Sequence, residues 1–394
     1  MSAVQGARGR AMTDGEVAYR VPDSEWTPDE RVREVSRFVQ VAVQVAGVVA
    51  LFWCAMQTKA LWAVPVALAV YFLTGVLHEV GHALGAVLSG ATITRAQVGP
   101  IEIVPLRGGL RMRWKRGPRD IGGLVQSFPS PHKSFRRQMI VTIVAGPLVN
   151  AVLAVGAFLL AHGRLDSAWG VMLLGIAAFN AGATLANLLP WASPTMLASD
   201  GWELMRWMRR KDEGDPQFAI AMLNARLISG EPFGPWADRY LRVMERSTQP
   251  GPMFVLWVRL KTLQMEGDWA GVDDVMRQVE LQIIGLSPPV AQAMAGFIAI
   301  MRCEAAFSRA MAGEALERSP VEVLGPDMGW LFPAVRLRCQ ALECLRYGHV
   351  DMARTRLAES EYWSKRAIDR SLEEGEVVMR AAIASRLDGA GQPA

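Results

Sequence analysis

Four long apolar stretches constrain the fold of this chain more than any other feature of its sequence. They extend from about Phe38 to Gln57, Leu61 to Leu88, Met139 to Ala161 and Trp169 to Trp191. Each supplies the roughly 20 residues that a helix needs to cross the hydrocarbon core of a bilayer. Backbone polar groups in lipid require internal partners, which a helix provides. We therefore predict a polytopic membrane protein with about four transmembrane helices.

The apolar residues are concentrated in the first half of the chain, which predicts a membrane domain followed by a soluble one. Residues 1–36 hold no apolar run and mix arginine with acidic residues, so we expect a flexible cytosolic leader there. We expect a membrane-embedded domain at 37–210 and a cytosolic helical domain at 211–394. The formal net charge of +4 is too small to indicate a nucleic acid as partner.

The loop between the second and third stretches is strongly basic, with only Glu102 and Asp120 to oppose its positive charge. Its basic residues are Arg95, Arg107, Arg111, Arg113, Lys115, Arg116, Arg119, Lys133, Arg136 and Arg137. By the positive-inside rule this loop is cytoplasmic, as is the basic segment that follows the fourth stretch. Both termini are then cytoplasmic. The arginine-rich, alanine-rich composition favours a bacterial cell membrane.

The second apolar stretch contains the motif H-E-x-x-H, formed by His78, Glu79 and His82. Residues four apart share one face of a helix, so both imidazoles can reach one ion at about 2.0–2.1 Å. Glu79 can take a proton from a metal-bound water and later pass it to a leaving amine. Zn²⁺ lowers the pKa of that water to roughly 7. The motif therefore predicts a hydrolytic site with one zinc ion.

The structural alternative is a cluster of polar side chains that satisfy one another between packed helices. Unpaired ionisable groups inside a bilayer cost roughly 2.5 kcal/mol or more each, so they usually have a function. His82, His78 and Asn150 lie at comparable depths below the cytoplasmic boundary, which favours a pocket open to cytosolic water. Small residues that allow close helix packing are Gly81, Gly85, Ala178, Gly182 and Ala186.

The remaining histidines and the cysteines show no metal-binding pattern. His132, His162 and His349 are isolated in predicted loops or turns. The four cysteines lack the spacing of a zinc ribbon, so we expect reduced thiols and no disulfide framework.

Three segments in order resemble the site-2 protease family of intramembrane zinc metallopeptidases. "HEVGHALGAVLSG" followed by "ITRAQVGPIEIVP" resembles the family's metal-binding helix and the strand-like segment after it. "AGPLVN" at 145–150 resembles the next motif, and "NLLP" at 187–190 with "SDG" at 199–201 resembles the last. The resemblance covers about residues 60–205.

The resemblance implies a role for each of these polar side chains. It implies that His78, His82 and Asp200 are the zinc ligands and that Glu79 is the general base and acid. It implies that the substrate is positioned by Asn150 and Asn187. The segment Ile93–Val104 would be the edge strand to which an extended substrate adds.

The sequence departs from the family between Asn187 and Asp200, where the gap is longer than usual. Either the fourth stretch ends early or the segment re-enters the membrane. Glu203, one turn further on, is the alternative ligand. The structural interpretation of Asp200 is an acidic residue at a helix N-terminus, favoured there by the helix dipole.

The tail from about residue 212 alternates amphipathic helices with short turns. "VLWVRLKTLQMEGDWAGVDDVMRQVE" and "RLRCQALECLRYGHVDMARTRLAESEYW" each predict helix, glycine-containing turn, helix. The second resembles a tetratricopeptide-like hairpin, and a plain helical bundle is the alternative. A partner-docking role for this region is a hypothesis from its position alone.

Together these features predict a mainly α protein with a membrane core of about four helices, a short β segment and a C-terminal helical domain. The predicted function is an intramembrane zinc metalloendopeptidase that cleaves transmembrane or membrane-proximal proteins in the lipid bilayer. One alternative is a catalytically silent membrane scaffold, with or without zinc, which only the long gap before Asp200 supports. A transporter is disfavoured because the four stretches show no internal repeat.

Overall fold

The computed structural model describes residues 30–115, 123–192, 198–209, 214–232 and 234–390. These residues are mainly helical, with one small sheet after the second helix. The helices are α1 Glu30–Gln57, α2 Ala63–Ser89, α3 Phe135–Ala161, α4 Ala168–Leu188, α5 Asp200–Met208, α6 Pro216–Ile228, α7 Pro235–Glu245, α8 Gly251–Glu266, α9 Val272–Ile284, α10 Pro288–Ala293, α11 Ala295–Met311, α12 Pro320–Leu331, α13 Pro333–Arg346, α14 Val350–Arg366 and α15 Arg370–Ala390. The strands are β1 Thr92–Val98, β2 Ile101–Leu106, β3 Gly109–Trp114 and β4 Gly123–Phe128.

Helices α1 to α4 are long and apolar enough to cross a membrane, which confirms the prediction of four spans. Large apolar side chains point outward along them, as in Phe72, Leu88 and Leu159, because lipid solvates such groups as well as a protein core does. Helix α4 ends at Leu188, earlier than the predicted boundary at Trp191. Pro190 explains this early end, because the residue before a proline is displaced from helical backbone angles.

Small residues bring the membrane helices together in two different places. A Cβ atom added at Gly81 would lie 2.7 Å from the Ala145 carbonyl oxygen, so α2 contacts the backbone of α3. A Cβ atom at Gly175 would lie 2.8 Å from Cys54 Cβ, so α4 contacts α1 just as closely. Glycine allows such approaches because it lacks a side chain. Helix α1, which has no counterpart in the resemblance, therefore packs on α4.

The sheet has the strand order β3-β2-β1-β4, with β1 antiparallel to both of its neighbours. It extends well beyond the single strand-like segment expected from the sequence. Glu102 is fully buried on β2 and forms ion pairs with Arg95 on β1 and Arg113 on β3. These pairs connect three of the strands across one face.

The region α6 to α15 forms a helical unit of its own. Both predicted hairpins are confirmed, as α8 with α9 and as α13 with α14, and the turns after α8 and α13 contain Gly267 and Gly348 at positive φ.

All four cysteines are free thiols, as expected, although the Cys303 and Cys339 sulfurs are only 3.8 Å apart. The helices and the small sheet together confirm the predicted mainly α fold class.

The domain boundaries expected at residues 36 and 210 stay predictions. The structure groups α1 to α5 and most of the sheet in one compact unit, separate from the helices that follow. Most of the expected leader, residues 1–29, and the junction at 210–213 lie outside the described residues.

Candidate metal centre

His78 and His82 lie one turn apart on the same buried face of α2. Their side chains are only about a tenth exposed, and their Nε2 atoms are 3.1 Å apart. This convergence follows from the helix itself, because residues at i and i+4 are neighbours on its surface. The two imidazoles therefore point their Nε2 atoms at one common position.

Helix α3 approaches this face through glycine. A Cβ atom at Gly85 would lie 2.9 Å from the Val141 carbonyl oxygen, which leaves no room for a side chain. On the α3 side, a Cβ atom at Gly146 would overlap the imidazole of His82. The close packing expected at Gly81 and Gly85 is present, and Gly146 is a third glycine on which the contact depends.

Ser199 brings the chain back to this position after α4 ends. Its hydroxyl group donates a hydrogen bond to the carbonyl oxygen of Leu189 (2.6 Å) and accepts one from the backbone N–H of Trp191 (2.9 Å). It also caps α5 by accepting a hydrogen bond from Trp202 N–H. Of the two possibilities for the long gap, the first is therefore observed: the fourth span ends early.

The return of the chain places Asp200 directly beside both histidines. Asp200 Oδ2 is 3.1 Å from His78 Nε2, and Asp200 Oδ1 is 3.3 Å from His82 Nε2. Burial opposes ionisation of Asp200, but hydrogen bonds with the two histidines outweigh burial and hold its pKa below the ordinary value. The carboxylate is therefore ionised at neutral pH.

The three side chains fit a zinc ion. Two ligands bound at about 2.0–2.1 Å in tetrahedral geometry lie about 3.3 Å apart. The contacts among His78, His82 and Asp200 range from 3.1 to 3.3 Å. Within the described part of the chain, these residues form the group of histidine and carboxylate donors close enough to hold one metal ion.

Glu203, the alternative ligand, faces elsewhere. Its carboxylate forms an ion pair with Arg206 at 2.5 Å, one turn along α5. The acidic side chain that the structure brings to the histidines is Asp200, at the first position of the helix. Asp200 therefore lies at a helix N-terminus, where the helix dipole favours an acidic residue, and it also contacts both histidines.

Glu79 lies outside the group of three donors and points toward the sheet. A Cβ atom at Gly123, the first residue of β4, would overlap the Glu79 carboxylate. The absence of a side chain at residue 123 therefore leaves the space that the Glu79 carboxylate occupies. Gly123 was not among the predicted site residues, and its only signal in the sequence is the pair of glycines in "IGGLVQ".

The expectation that Ile93–Val104 forms the edge strand is wrong. β1 lies between β2 and β4, and β2 lies between β1 and β3. Among the described strands, the edges of the sheet are β3 and β4, and it is β4 that touches Glu79. The chain returns after β3 to add β4 beside β1, a non-local pairing that the alternation of residues does not reveal.

Helix α3 also contacts the far side of each histidine ring. The Nδ1–H group of His82 donates to the carbonyl oxygen of Thr142 at 2.8 Å. The side-chain amide of Asn150 lies 3.1 Å from His78 Nδ1 and is almost completely buried. Asn187 is half-buried near the end of α4. A backbone carbonyl such as that of Thr142 leaves no signal in a sequence.

The other histidines lie elsewhere. His132 is exposed before α3, His162 is exposed at the end of α3, and His349 precedes α14. None of them joins the group formed by His78, His82 and Asp200.

Comparison with known proteins identifies a family for this chain. No curated protein and no solved structure matches the chain significantly. A family model for peptidase family M50 matches residues 66–318, which is more than half of the chain and contains every residue of the candidate metal centre. The chain therefore belongs to peptidase family M50, the site-2 protease family of membrane metalloproteases.

Proposed function

We propose that this protein is an active intramembrane zinc endopeptidase that cleaves transmembrane or membrane-proximal protein substrates. The observation that carries the proposal is the convergence of His78, His82 and Asp200, next to Glu79 on an otherwise apolar helix. Membership of family M50 supports it, since that family is one of membrane metalloproteases.

His78, His82 and Asp200 would hold the ion with three protein ligands, the number typical of catalytic zinc sites. When bound, zinc supplies a Lewis acid that acidifies water and polarises a carbonyl group. Glu79 accepts the proton of the attacking water on its carboxylate and later donates it to the nitrogen of the leaving amine. Its carboxylate lies against Gly123, next to the proposed ligands but outside the group that would hold the ion.

The substrate is an extended segment of a membrane protein, since a helix hides its peptide bonds from the catalytic groups. β4 offers a free strand edge next to Glu79, within the part of the sheet that the structure describes. An extended peptide can add to such an edge through backbone hydrogen bonds. Asn187, half-buried near the end of α4, positions this peptide.

The site opens to the cytosol in this proposal. The basic residues between the second and third apolar stretches support a cytoplasmic location for the sheet by the positive-inside rule, and we propose that both termini lie on the same side. Water therefore reaches the site from the cytosol, and we assign the protein to a bacterial cell membrane.

The alternative of a catalytically silent scaffold rested only on the long gap before Asp200. Ser199 nevertheless hydrogen-bonds to Leu189 at the end of α4 and Asp200 contacts both histidines, so the length of the gap does not favour a scaffold. A transporter would not require a glutamate beside two histidines and an aspartate that converge on one position.

The test compares membranes that contain the parent with membranes that contain the Glu79→Gln variant. Glutamine keeps the size of the side chain but cannot accept the proton, so we expect zinc content at the parental level and no cleavage. Proteomics of membrane-protein fragments provides the readout, and the control is Glu266→Gln at the end of α8. A Glu79→Gln variant that produces the same fragments as the parent contradicts the proposed function.

A further inference from the structure

Asn150 has an unusual position for a residue expected to contact a substrate. It is 1% exposed, and its side-chain amide is 3.1 Å from the Nδ1 atom of His78. The Nδ2 atom faces the ring, and Oδ1 is buried without a hydrogen-bond partner. Buried polar atoms in native structures are nearly always satisfied, so this orphan oxygen requires an explanation.

The tautomer of the histidines supplies that explanation. The Nε2 atoms of both rings face Asp200, and a metal bound there requires an unprotonated Nε2. A neutral imidazole then carries its proton on Nδ1. In His82 this proton points at the Thr142 carbonyl oxygen, which can only accept a hydrogen bond. The ring of His82 is therefore held in the tautomer that presents Nε2 to the ion.

His78 requires the same arrangement, and the group opposite its Nδ1 atom is Asn150. An amide NH₂ group cannot accept the Nδ1 proton, whereas the amide oxygen can. The nitrogen and oxygen of an asparagine amide have nearly the same shape, and their assignment follows from hydrogen bonding. Turning the amide over directs Oδ1 at Nδ1 and gives the orphan oxygen a partner.

We infer that Asn150 is a positioning residue for the metal ligand His78, whose Nδ1–H it accepts through its amide oxygen, rather than a residue that holds the substrate. This inference rests on the proposed function only in requiring that zinc binds at His78, His82 and Asp200. The Nδ1 atoms of both histidines then donate hydrogen bonds to oxygens on α3, from His82 to Thr142 and from His78 to Asn150. Such outer contacts fix the orientation of a ligand and raise its basicity.

Two substitutions at Asn150 separate an acceptor from a donor. Asn150→Asp has nearly the same size and keeps oxygen acceptors but loses the NH₂ group. Asn150→Ala loses both. We expect the aspartate variant to bind zinc within about threefold of the parent or more tightly, and the alanine variant to bind it about 10- to 100-fold more weakly. The measurement is competition with a chelator on the purified full-length protein in detergent.

Asn180→Ala is the matched control. Asn180 is fully buried on α4 and hydrogen-bonds to Thr74 and to the Ile176 carbonyl oxygen, not to a histidine. We expect parental zinc affinity from it. The absorption spectrum of the cobalt-substituted protein gives a second readout: Asn150→Asp should keep the parental spectrum, and Asn150→Ala should change it.

Three outcomes overturn the inference. The first is a tenfold or greater loss of zinc affinity in Asn150→Asp, which would mean that the NH₂ group is the essential one. The second is parental zinc affinity in Asn150→Ala together with a raised KM, which is the signature of substrate positioning. The third is parental affinity with parental KM in that variant. A parent protein that binds no zinc contradicts the proposed function instead, so the two failures are distinguishable.

Discussion

Gly146 on α3 has no side chain, and the imidazole of His82 on α2 lies in the space that a side chain would fill. A Cβ atom at residue 146 would overlap the ring, while the His82 Nδ1 atom on the other side donates to the Thr142 carbonyl oxygen. The backbone of α3 therefore fixes His82 from two directions. The geometry of the candidate metal centre depends as much on this backbone as on the H-E-x-x-H motif.

Substitution of Gly146 by alanine tests this dependence. The added methyl group displaces His82, so we expect zinc affinity to fall by about 10- to 100-fold, the loss typical when the surroundings of a metal ligand are disturbed. Zinc bound per protein is measured after equilibration with a chelator. The control is Gly156→Ala on the same helix, where an added Cβ atom meets nothing within 4 Å. Equal zinc binding in both variants would contradict the prediction.

Gly123 offers a substitution that separates the base from the metal. A methyl group at this residue overlaps the Glu79 carboxylate, which lies outside the group formed by His78, His82 and Asp200. We expect Gly123→Ala to keep its zinc and to lower kcat by up to about 10²–10⁴-fold, the contribution typical of a general base. Gly75→Ala, one turn before Glu79 and free of contacts within 4 Å, is the control. Loss of zinc from Gly123→Ala would show that the methyl group disturbs the ligands as well.

The choice between the two acidic residues of α5 is tested by removing each in turn. Asp200→Ala should lose bound zinc, because it removes a carboxylate that contacts both histidines. Glu203→Ala should keep it, because that side chain pairs with Arg206. Metal analysis of the two purified variants measures the difference. Zinc retained by Asp200→Ala and lost by Glu203→Ala would reverse the assignment.

Ser199 holds Asp200 in place through hydrogen bonds to the end of α4 and to the start of α5. Removing such a cap costs about 1 kcal/mol. If that energy is lost from the position of Asp200, zinc affinity falls about fivefold, since 1.4 kcal/mol corresponds to a factor of ten. Chelator competition on Ser199→Ala measures this. Ser167→Ala, which removes the equivalent cap at the start of α4, should leave affinity unchanged.

Arg338 lies between two buried carboxyl groups in the C-terminal helical unit. It lies 2.8 Å from Glu304 and 3.1 Å from Glu376, and all three side chains are buried. Burial opposes ionisation of Glu304, but Arg338 and then Lys261 outweigh it and lower its pKa to about 2. In the parent, the stability from this depressed pKa is present above the ordinary value of 4.5 and is lost as pH falls toward 2.

Substitution of Arg338 by methionine should destabilise this unit by about 3–5 kcal/mol at neutral pH, the cost of a broken buried pair. The penalty should shrink at lower pH, because protonation of the two carboxyl groups removes the uncompensated charge. Hydrogen exchange of α11 and α13 in the full chain measures it. Arg302→Met breaks an ion pair with Glu280 that is nearly half exposed, and should cost about 1 kcal/mol or less. A penalty that grows as pH falls would contradict the interpretation.

Much of this protein was predictable from its sequence, because the relevant physics is local. The four spans follow from runs of apolar residues, and the neighbouring positions of His78 and His82 follow from the helical repeat. The two helical hairpins of the tail follow from amphipathic periodicity and from glycine at their turns. In each case the residues that determine the structure lie within a few turns of one another.

The tertiary structure alone decided which distant residues meet these local elements. The sequence left Asp200 and Glu203 as alternatives, and the hydrogen bond from Ser199 to the end of α4 brings the Asp200 carboxylate to the two histidines. The resemblance implied that Ile93–Val104 is an edge strand, whereas β4 covers the free side of β1 and β3 covers that of β2. The resemblance implied that Asn150 positions the substrate, and only the packing of α3 on α2 reveals that its amide lies 3.1 Å from His78 Nδ1. Such contacts depend on backbone-to-backbone approach between remote segments, and neither residue type nor spacing along one segment specifies that approach.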